Sequence, residues 1–215
     1  MIELLHTDCM TYMAGLPDKA FDLAIVDPPY GLGERITSGG TWAAKLTKED
    51  AAWDVIPPPE YFTELFRVSK NQIIWGGNHF PGLPPSRCFV IWDKKYTDNW
   101  TLAMAEYAWA SFDEPSKMWR GVSDKGDDRI HICQKPIDLY RWLLKHYAKP
   151  GDRILDTHLG SGSIAIACDA DGFDFTGCEV SEGIMARTRR RFDQYKAQPL
   201  FDAPKDHGTQ MAIDT

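Results

Sequence analysis

Phe21-Asp22-Leu23-Ala24-Ile25-Val26-Asp27-Pro28-Pro29-Tyr30 is the stretch on which the reading of the chain turns. The run from Phe21 to Val26 is almost entirely apolar, the pattern of a strand covered on both faces in a parallel sheet. It ends in an acid, two prolines and an aromatic ring. A carboxylate, a rigid backbone and a stacking group are thereby held beyond the carboxyl end of a buried strand, where open α/β sheets bind their ligands.

Outward from this stretch, strands alternate with helices. Ile2 to Leu5 reads as a short strand that stops at His6-Thr7-Asp8, and Cys9 to Leu16 as a helix closed by the Pro17-Asp18 turn. After Tyr30, a polar stretch runs to Asp54 without clear periodicity. A loop of that length is functional or disordered. It carries Arg35, Trp42, Lys45 and Trp53. Pro57-Pro58-Pro59 opens a helix from Glu60 to Val68. Gln72 to Trp75 is a third strand, followed by Gly76-Gly77-Asn78-His79. Cys88 to Trp92 is a fourth and Met104 to Ala110 a fifth, while Glu114 to Arg129 is turn-rich and carries no clear element. Pro136 starts a helix with Leu139, Trp142, Leu143 and Tyr147 at core spacing. Arg153 to Leu155 is a strand, Ile164 to Asp171 a helix and Phe173 to Cys178 a strand. Ser181 caps a last helix that reaches about Lys196. The polar tail, 198–215, is expected to be disordered.

A chain of 215 residues suits one α/β domain, and 43% hydrophobic with 26% charged residues is ordinary for a soluble protein. No apolar run approaches the ~20 residues of a membrane span. The residues from Met1 to His6 show no basic segment of a secretory signal. The five cysteines form no Cys-x-x-Cys pair, so neither a metal site nor a disulfide framework is expected, and a reducing cytoplasm is the default. A net charge of −7 argues only weakly against a nucleic-acid partner, because placement of charge matters more than its sum. Basic groups bunch at Arg35, Lys45 and Lys48, at Lys94 and Lys95, at Lys117, Arg120 and Lys125, and from Arg187 to Arg191. Taken singly, each cluster is best read as a solvated face.

A second constellation lies near the carboxyl end: Asp156-Thr157-His158-Leu159-Gly160-Ser161-Gly162-Ser163, then Glu179 at the end of the next strand. Gly160 and Gly162 let the backbone approach a ligand, and the following helix start offers free N–H groups. Glu179 stands where a carboxylate can accept from ribose hydroxyls. The third glycine of the dinucleotide fingerprint is replaced by Ala165. A packing turn beside a solvated Glu179 is the plain alternative. Asp156 would repel a pyrophosphate, whereas it suits a ligand with an ammonium and a sulfonium, such as S-adenosylmethionine.

Four features in one order carry a family resemblance: His6-Thr7-Asp8, Asp27-Pro28-Pro29-Tyr30, His131 with Gln134-Lys135-Pro136, and the Asp156 to Ser163 loop. With them the chain resembles the β-class amino-methylating DNA methyltransferases, from Ile2 to about Lys196. The resemblance departs at Ile132-Cys133, where the family often has Pro-Thr, and at Thr157-His158, where it often has Pro-Phe. It implies an α/β, Rossmann-like S-adenosylmethionine-dependent methyltransferase fold. A mostly parallel central sheet would have helices on both faces and a circularly permuted motif order.

The single domain would span 1–197, with a catalytic half about 1–93, a small target-recognition segment about 94–130 and a donor-binding half about 131–197. By resemblance, Asp27, Pro28, Pro29 and Tyr30 would be catalytic. Asp8 would meet the donor's adenine, Glu179 its ribose, Lys135 its carboxylate and Asp156 its ammonium, with His158, Gly160, Ser161, Gly162 and Ser163 completing the pocket. Arg35, Lys45, Lys94, Lys95, Lys117 and Arg120 would contact DNA. The implied activity is methylation of the N6 amine of a flipped adenine, with S-adenosylmethionine as donor and no metal. N4-cytosine methylation, RNA as substrate, a catalytically idle binding protein and a nicotinamide dehydrogenase stay open beside it. The small recognition segment implies a short or relaxed target site, or recognition shared across a homodimer. A restriction endonuclease is a candidate partner, and the setting implied is the cytoplasm of a bacterium or of a virus's bacterial host.

Overall fold

The computed structural model describes residues 1–32, 54–96, 103–122 and 134–198. Eight strands among them form one sheet: β1 (Ile2–His6), β2 (Phe21–Val26), β3 (Ser69–Trp75), β4 (Cys88–Asp93), β5 (Ala105–Ala110), β6 (Lys117–Arg120), β7 (Arg153–Asp156) and β8 (Asp174–Glu179). Their order is β1-β8-β7-β2-β3-β5-β4-β6. All run parallel except β5, which pairs antiparallel with β3 and β4. Five helices accompany them: α1 (Cys9–Ala14), α2 (Pro59–Val68), α3 (Ile137–Tyr147), α4 (Ser163–Asp171) and α5 (Glu182–Ala197).

Alternation along the strands splits the core between the two faces. Ala24, Val26, Ile74 and Leu155 pack with Met13 of α1 and with Tyr61, Phe62 and Leu65 of α2. Leu23, Ile25, Ile73, Trp75 and Ile154 pack on the other face with Leu139 and Leu143 of α3 and with Ile164 and Ala165 of α4. A sheet buried on both sides requires strands apolar throughout, and β2 meets this with Phe21 and Leu23 to Val26 at most 1% exposed.

The strand order creates the candidate site. The chain leaves β2 for β3 on one side and leaves β7 for β8 on the other, although β2 and β7 are neighbours. The strand order therefore reverses between them, and a crevice opens at their carboxyl ends. Leu23 pairs with Ile154 and Ala24 with Leu155, so the chain emerges at Asp27 and at Asp156 side by side.

Two elements differ from the sequence reading. β3 begins at Ser69 rather than Gln72, because its polar start is satisfied internally: Ser69 Oγ donates to the Leu65 carbonyl at 2.6 Å and Gln72 Nε2 to the Ser69 carbonyl at 2.9 Å. The segment read as lacking an element contains β6, an edge strand that alternates half-buried Lys117 and Trp119 with exposed Met118 and Arg120. Four residues are too short for a legible period, and pairing with β4 creates the strand. The long loop with Arg35 and Lys45, the positions of Lys125, His131 and Cys133, and the tail beyond Gln198 lie outside the described residues.

Candidate active site

Asp27 is the hub of the crevice. Its Oδ1 accepts from the Tyr30 hydroxyl at 2.5 Å, and its Oδ2 accepts from Lys135 Nζ at 2.5 Å. Lys135 is 2% exposed. Its ammonium also lies 3.2 Å from Glu106 Oε2 and 4.9 Å from the centre of the Trp75 ring. Glu106, on β5, is paired in turn with Lys94. Burial pushes the Glu106 carboxyl up, but Lys135 and Lys94 outweigh it and hold the group below its usual range. The Asp27 corner thus ends a chain of alternating charges that reaches back into the sheet. Glu106 was not singled out in the sequence, because its partners converge on it only through β5.

Tyr30 is held on three sides. Besides the bond to Asp27, its ring stacks on His79 with centroids 5.0 Å apart and planes 13° from parallel. Phe80 meets it edge-on at 6.2 Å. Gly76 fits beneath it, where a Cβ would lie 2.2 Å from Tyr30 Cε1. Gly76 therefore makes room for this ring, while Gly77 lies against Trp109, where a Cβ would come 2.5 Å from Trp109 Cβ.

Across the crevice lies the glycine loop between β7 and α4. Asp156 is 2% exposed, and its Oδ1 accepts from the His158 N–H at 3.0 Å. Burial, with Asp27 and Glu179 nearby, raises its pKa to about 8 against the countering His158 N–H and Lys135. Glu179 accepts from the Gly160 N–H at 3.1 Å with one oxygen and from the Ser181 N–H at 2.9 Å with the other. It ties the loop to the end of β8. His158 is driven down to a pKa of about 4 by burial and is neutral at physiological pH. Its Nδ1 lies 3.0 Å from Thr157 Oγ1, which pairs with the Tyr61 hydroxyl at 2.6 Å.

Helix α5 braces the loop from behind. Arg191 Nη1 donates to the Ser161 carbonyl at 2.8 Å and to Ser163 Oγ at 3.0 Å, and the Thr188 hydroxyl donates to the Gly160 carbonyl. Arg191 belongs to a cluster read as a solvated face; periodicity alone does not distinguish it from its exposed neighbours. Gly162 has φ +71°, and a Cβ there would lie 2.6 Å from Thr188 Cγ2. Gly162→Ala is therefore expected to destabilise the protein by about 1–3 kcal/mol, the usual cost of a left-handed non-glycine residue, measured by urea unfolding. A midpoint equal to wild type would mean that the loop is not braced this way.

The remaining sequence candidates are placed as follows. Asp8 caps α1, its Oδ1 accepting from the Thr11 N–H at 2.8 Å and from the Thr11 hydroxyl at 3.1 Å. Lys94 is 14% exposed and turned toward Glu106, not outward. Lys117 pairs with Glu114 at 2.7 Å. Lys95 is exposed, and Arg120, 67% exposed, pairs with Asp93 at 3.1 Å.

The N6_N4_Mtase family model, described as DNA methylase, matches residues 86–190. Those residues, just under half of the chain, are similar to a DNA methylase domain. YubD of Escherichia coli (strain K12) is 24% identical over 199 residues, 85% of this chain and 86% of its own. The type II methyltransferase M1.MboII of Moraxella bovis is 20% identical over 84% of this chain and 92% of its own. Among solved structures, the complex of M1.HpyAVI with S-adenosylmethionine shares the fold, with a TM-score of 0.60 at 18% identity, over 89% of this chain and all of that one. The methylase match begins at Ser86, so the Asp27 corner lies outside it and joins it in space through Lys135 and Glu106.

Proposed function

We propose that the protein transfers a methyl group from S-adenosylmethionine to the exocyclic N6 amine of an adenine flipped out of DNA. The observation that carries this reading is the pairing of Asp27 and Asp156 at adjacent strand ends. One is an acceptor-rich corner and the other a buried carboxyl beside a glycine cradle. On the donor side, Asp156 takes the ammonium, which favours its ionised form. Glu179 keeps lone pairs for the ribose hydroxyls, and Asp8 keeps its second oxygen for the adenine. The cradle of Gly160 to Ser163 suits such a ligand because Thr188 and Arg191 brace its backbone from behind. Lys135 takes the donor carboxylate while remaining near Asp27. S-adenosylmethionine supplies an electrophilic methyl group.

On the target side, a carboxylate has about four lone-pair sites, so Asp27 can hold Tyr30, Lys135 and an incoming amine together. The Pro28 carbonyl, aimed by two prolines without N–H groups, accepts the amine's second hydrogen. Both contacts favour a pyramidal nitrogen and so expose its lone pair. As the N–C bond forms, the sulfur takes the electron pair of the breaking C–S bond, and the nitrogen then loses a proton to solvent. Positioning and electrostatics suffice, with no covalent enzyme intermediate. Tyr30 is the candidate ring for stacking on the base. A base in a duplex cannot reach this corner, so extrusion is required. Lys95 and Arg120, with Arg35, Lys45 and the inward Lys94 and Lys117, are the candidate phosphate contacts.

Adenine is favoured over cytosine because position 27 is Asp, whereas N4-cytosine enzymes more often carry Ser there. The family name covers both amines. Incubating the protein with unmethylated DNA and labelled donor, then digesting to nucleosides, is expected to yield N6-methyl-deoxyadenosine. N4-methyl-deoxycytidine would replace the adenine assignment, and no labelled nucleoside would overturn the reading. A second chain, a cytoplasmic setting in a bacterium or its virus, and action alongside a restriction endonuclease belong to the same proposal.

A further inference from the structure

Asp54 lies far from the catalytic acid in sequence, at the end of the long segment that follows Tyr30, yet its side chain returns to that corner. It is 7% exposed, and its Oδ1 accepts from both the Tyr30 N–H and the Gly31 N–H, each at 3.0 Å. Pro28 and Pro29 have no N–H, so these are the first two amides after Asp27, and both converge on one oxygen. The following residues press on the same turn: a Cβ at Gly31 would lie 2.6 Å from Ile56 Cγ1. Burying a carboxylate is costly unless it is hydrogen-bonded, and two backbone donors answer that cost here.

We propose that Asp54 is a positioning residue for methyl transfer, one that clamps the Asp27-Pro28-Pro29-Tyr30 corner in its reactive shape. The inference rests on the reading given under Proposed function. Tyr30 is gripped at both ends, its N–H by Asp54 and its hydroxyl by Asp27. Two constraints on one residue fix both the ring and the peptide that precedes it. The Pro28 carbonyl and the Asp27 carboxylate are thereby presented together. Displacement of reacting groups by about 1 Å can cost about 10²-fold in rate, so a clamp outside the contact shell is expected to act on turnover and not on donor affinity.

The test compares Asp54→Ala with Asp54→Asn in the full chain. Asp54→Ala is expected to lower kcat for DNA methylation by about 30- to 100-fold. Its Kd for S-adenosylmethionine should stay within about twofold of wild type, because the bonds described for Asp54 go to the Tyr30–Gly31 turn and the donor groups Asp156 and Glu179 end other strands. Asp54→Asn, whose amide oxygen still accepts both N–H groups, should recover most of that rate. Amide hydrogen exchange at Tyr30 and Gly31, read without turnover, should accelerate at least about tenfold in the alanine variant and little in the asparagine variant. An unchanged kcat in Asp54→Ala would overturn the proposal. So would parallel loss of donor binding and rate in both variants, which marks a general structural role. Wild-type protein that methylates no DNA would count against the functional reading alone, with the exchange pattern still deciding whether Asp54 is the clamp.

Discussion

Asp27→Ala is expected to lower the rate of methyl transfer by about 10³-fold while leaving donor affinity within about threefold of wild type. The size follows from removing a preorganised acceptor aimed at the reacting amine, a class of change that costs about 10²–10³ or more in turnover. Donor affinity is spared because Asp156, Glu179 and the glycine loop stand on other strands. Removing Asp27 leaves Lys135 with Glu106 and the face of Trp75, so the buried ammonium keeps a counter-charge and the fold should persist. The Tyr30 hydroxyl loses its acceptor, however, which loosens the stacking platform along with the acid. Single-turnover methylation and calorimetric titration with the donor separate the two effects. A rate within tenfold of wild type would remove Asp27 from the chemistry, and an equal loss of donor binding would make the corner part of the donor pocket.

Asp156→Asn is expected to weaken donor binding by about 30- to 100-fold, the range for a charge-assisted hydrogen bond to a buried group. The wild-type carboxyl has its pKa raised to about 8, mainly by burial, with Asp27 and Glu179 adding to the shift. At pH 7 the donor-free group is therefore largely protonated, and an arriving ammonium displaces that proton. Titrations in buffers of different ionisation enthalpy should show release approaching one proton per donor at pH 7, shrinking above pH 9. The asparagine variant should release none from this site.

The sign for stability is the reverse of the usual aspartate case. Between the ordinary value of 3.8 and about 8 the folded state holds a proton that the unfolded state has lost. The Asp156 contribution therefore falls as pH rises through that window, and Asp156→Asn should flatten the trend in urea melts of the donor-free protein. Donor binding without proton release in the wild type would contradict a buried, protonated Asp156.

Most elements were legible because they are long and periodic or carry clear end signals. The helix after Pro136 shows its apolar face at core spacing, and Ser181 caps α5 as expected, its Oγ accepting from the Ile184 N–H at 3.3 Å. β6 was not legible, since four residues at a sheet edge take their structure from β4. In the candidate site, the acids at strand ends stood out because an ionisable group after an apolar run is unusual. Their supports did not. Glu106 sits in a strand whose neighbours are Ala and Tyr, and Asp54 ends a stretch without period. Arg191 is one of several arginines on one helix. Each acts through a partner distant in the chain, Lys135 for Glu106, Tyr30 for Asp54 and Ser161 for Arg191.

The amino-acid sequence by itself determined an α/β fold, the acid-Pro-Pro-Tyr corner and the acid-then-glycine loop. Each depends on residues adjacent in the chain, through strand burial, proline geometry or the backbone freedom of glycine. Only the tertiary structure decided that β7 lies beside β2, and hence that Asp27 and Asp156 form two walls of one crevice. It alone gave Lys135 to Asp27 and Glu106 together, and turned Lys94 inward. Sheet order and charge pairing depend on which surfaces meet once both faces of the sheet are buried. Those meetings join residues up to about 130 positions apart, beyond the reach of any local pattern.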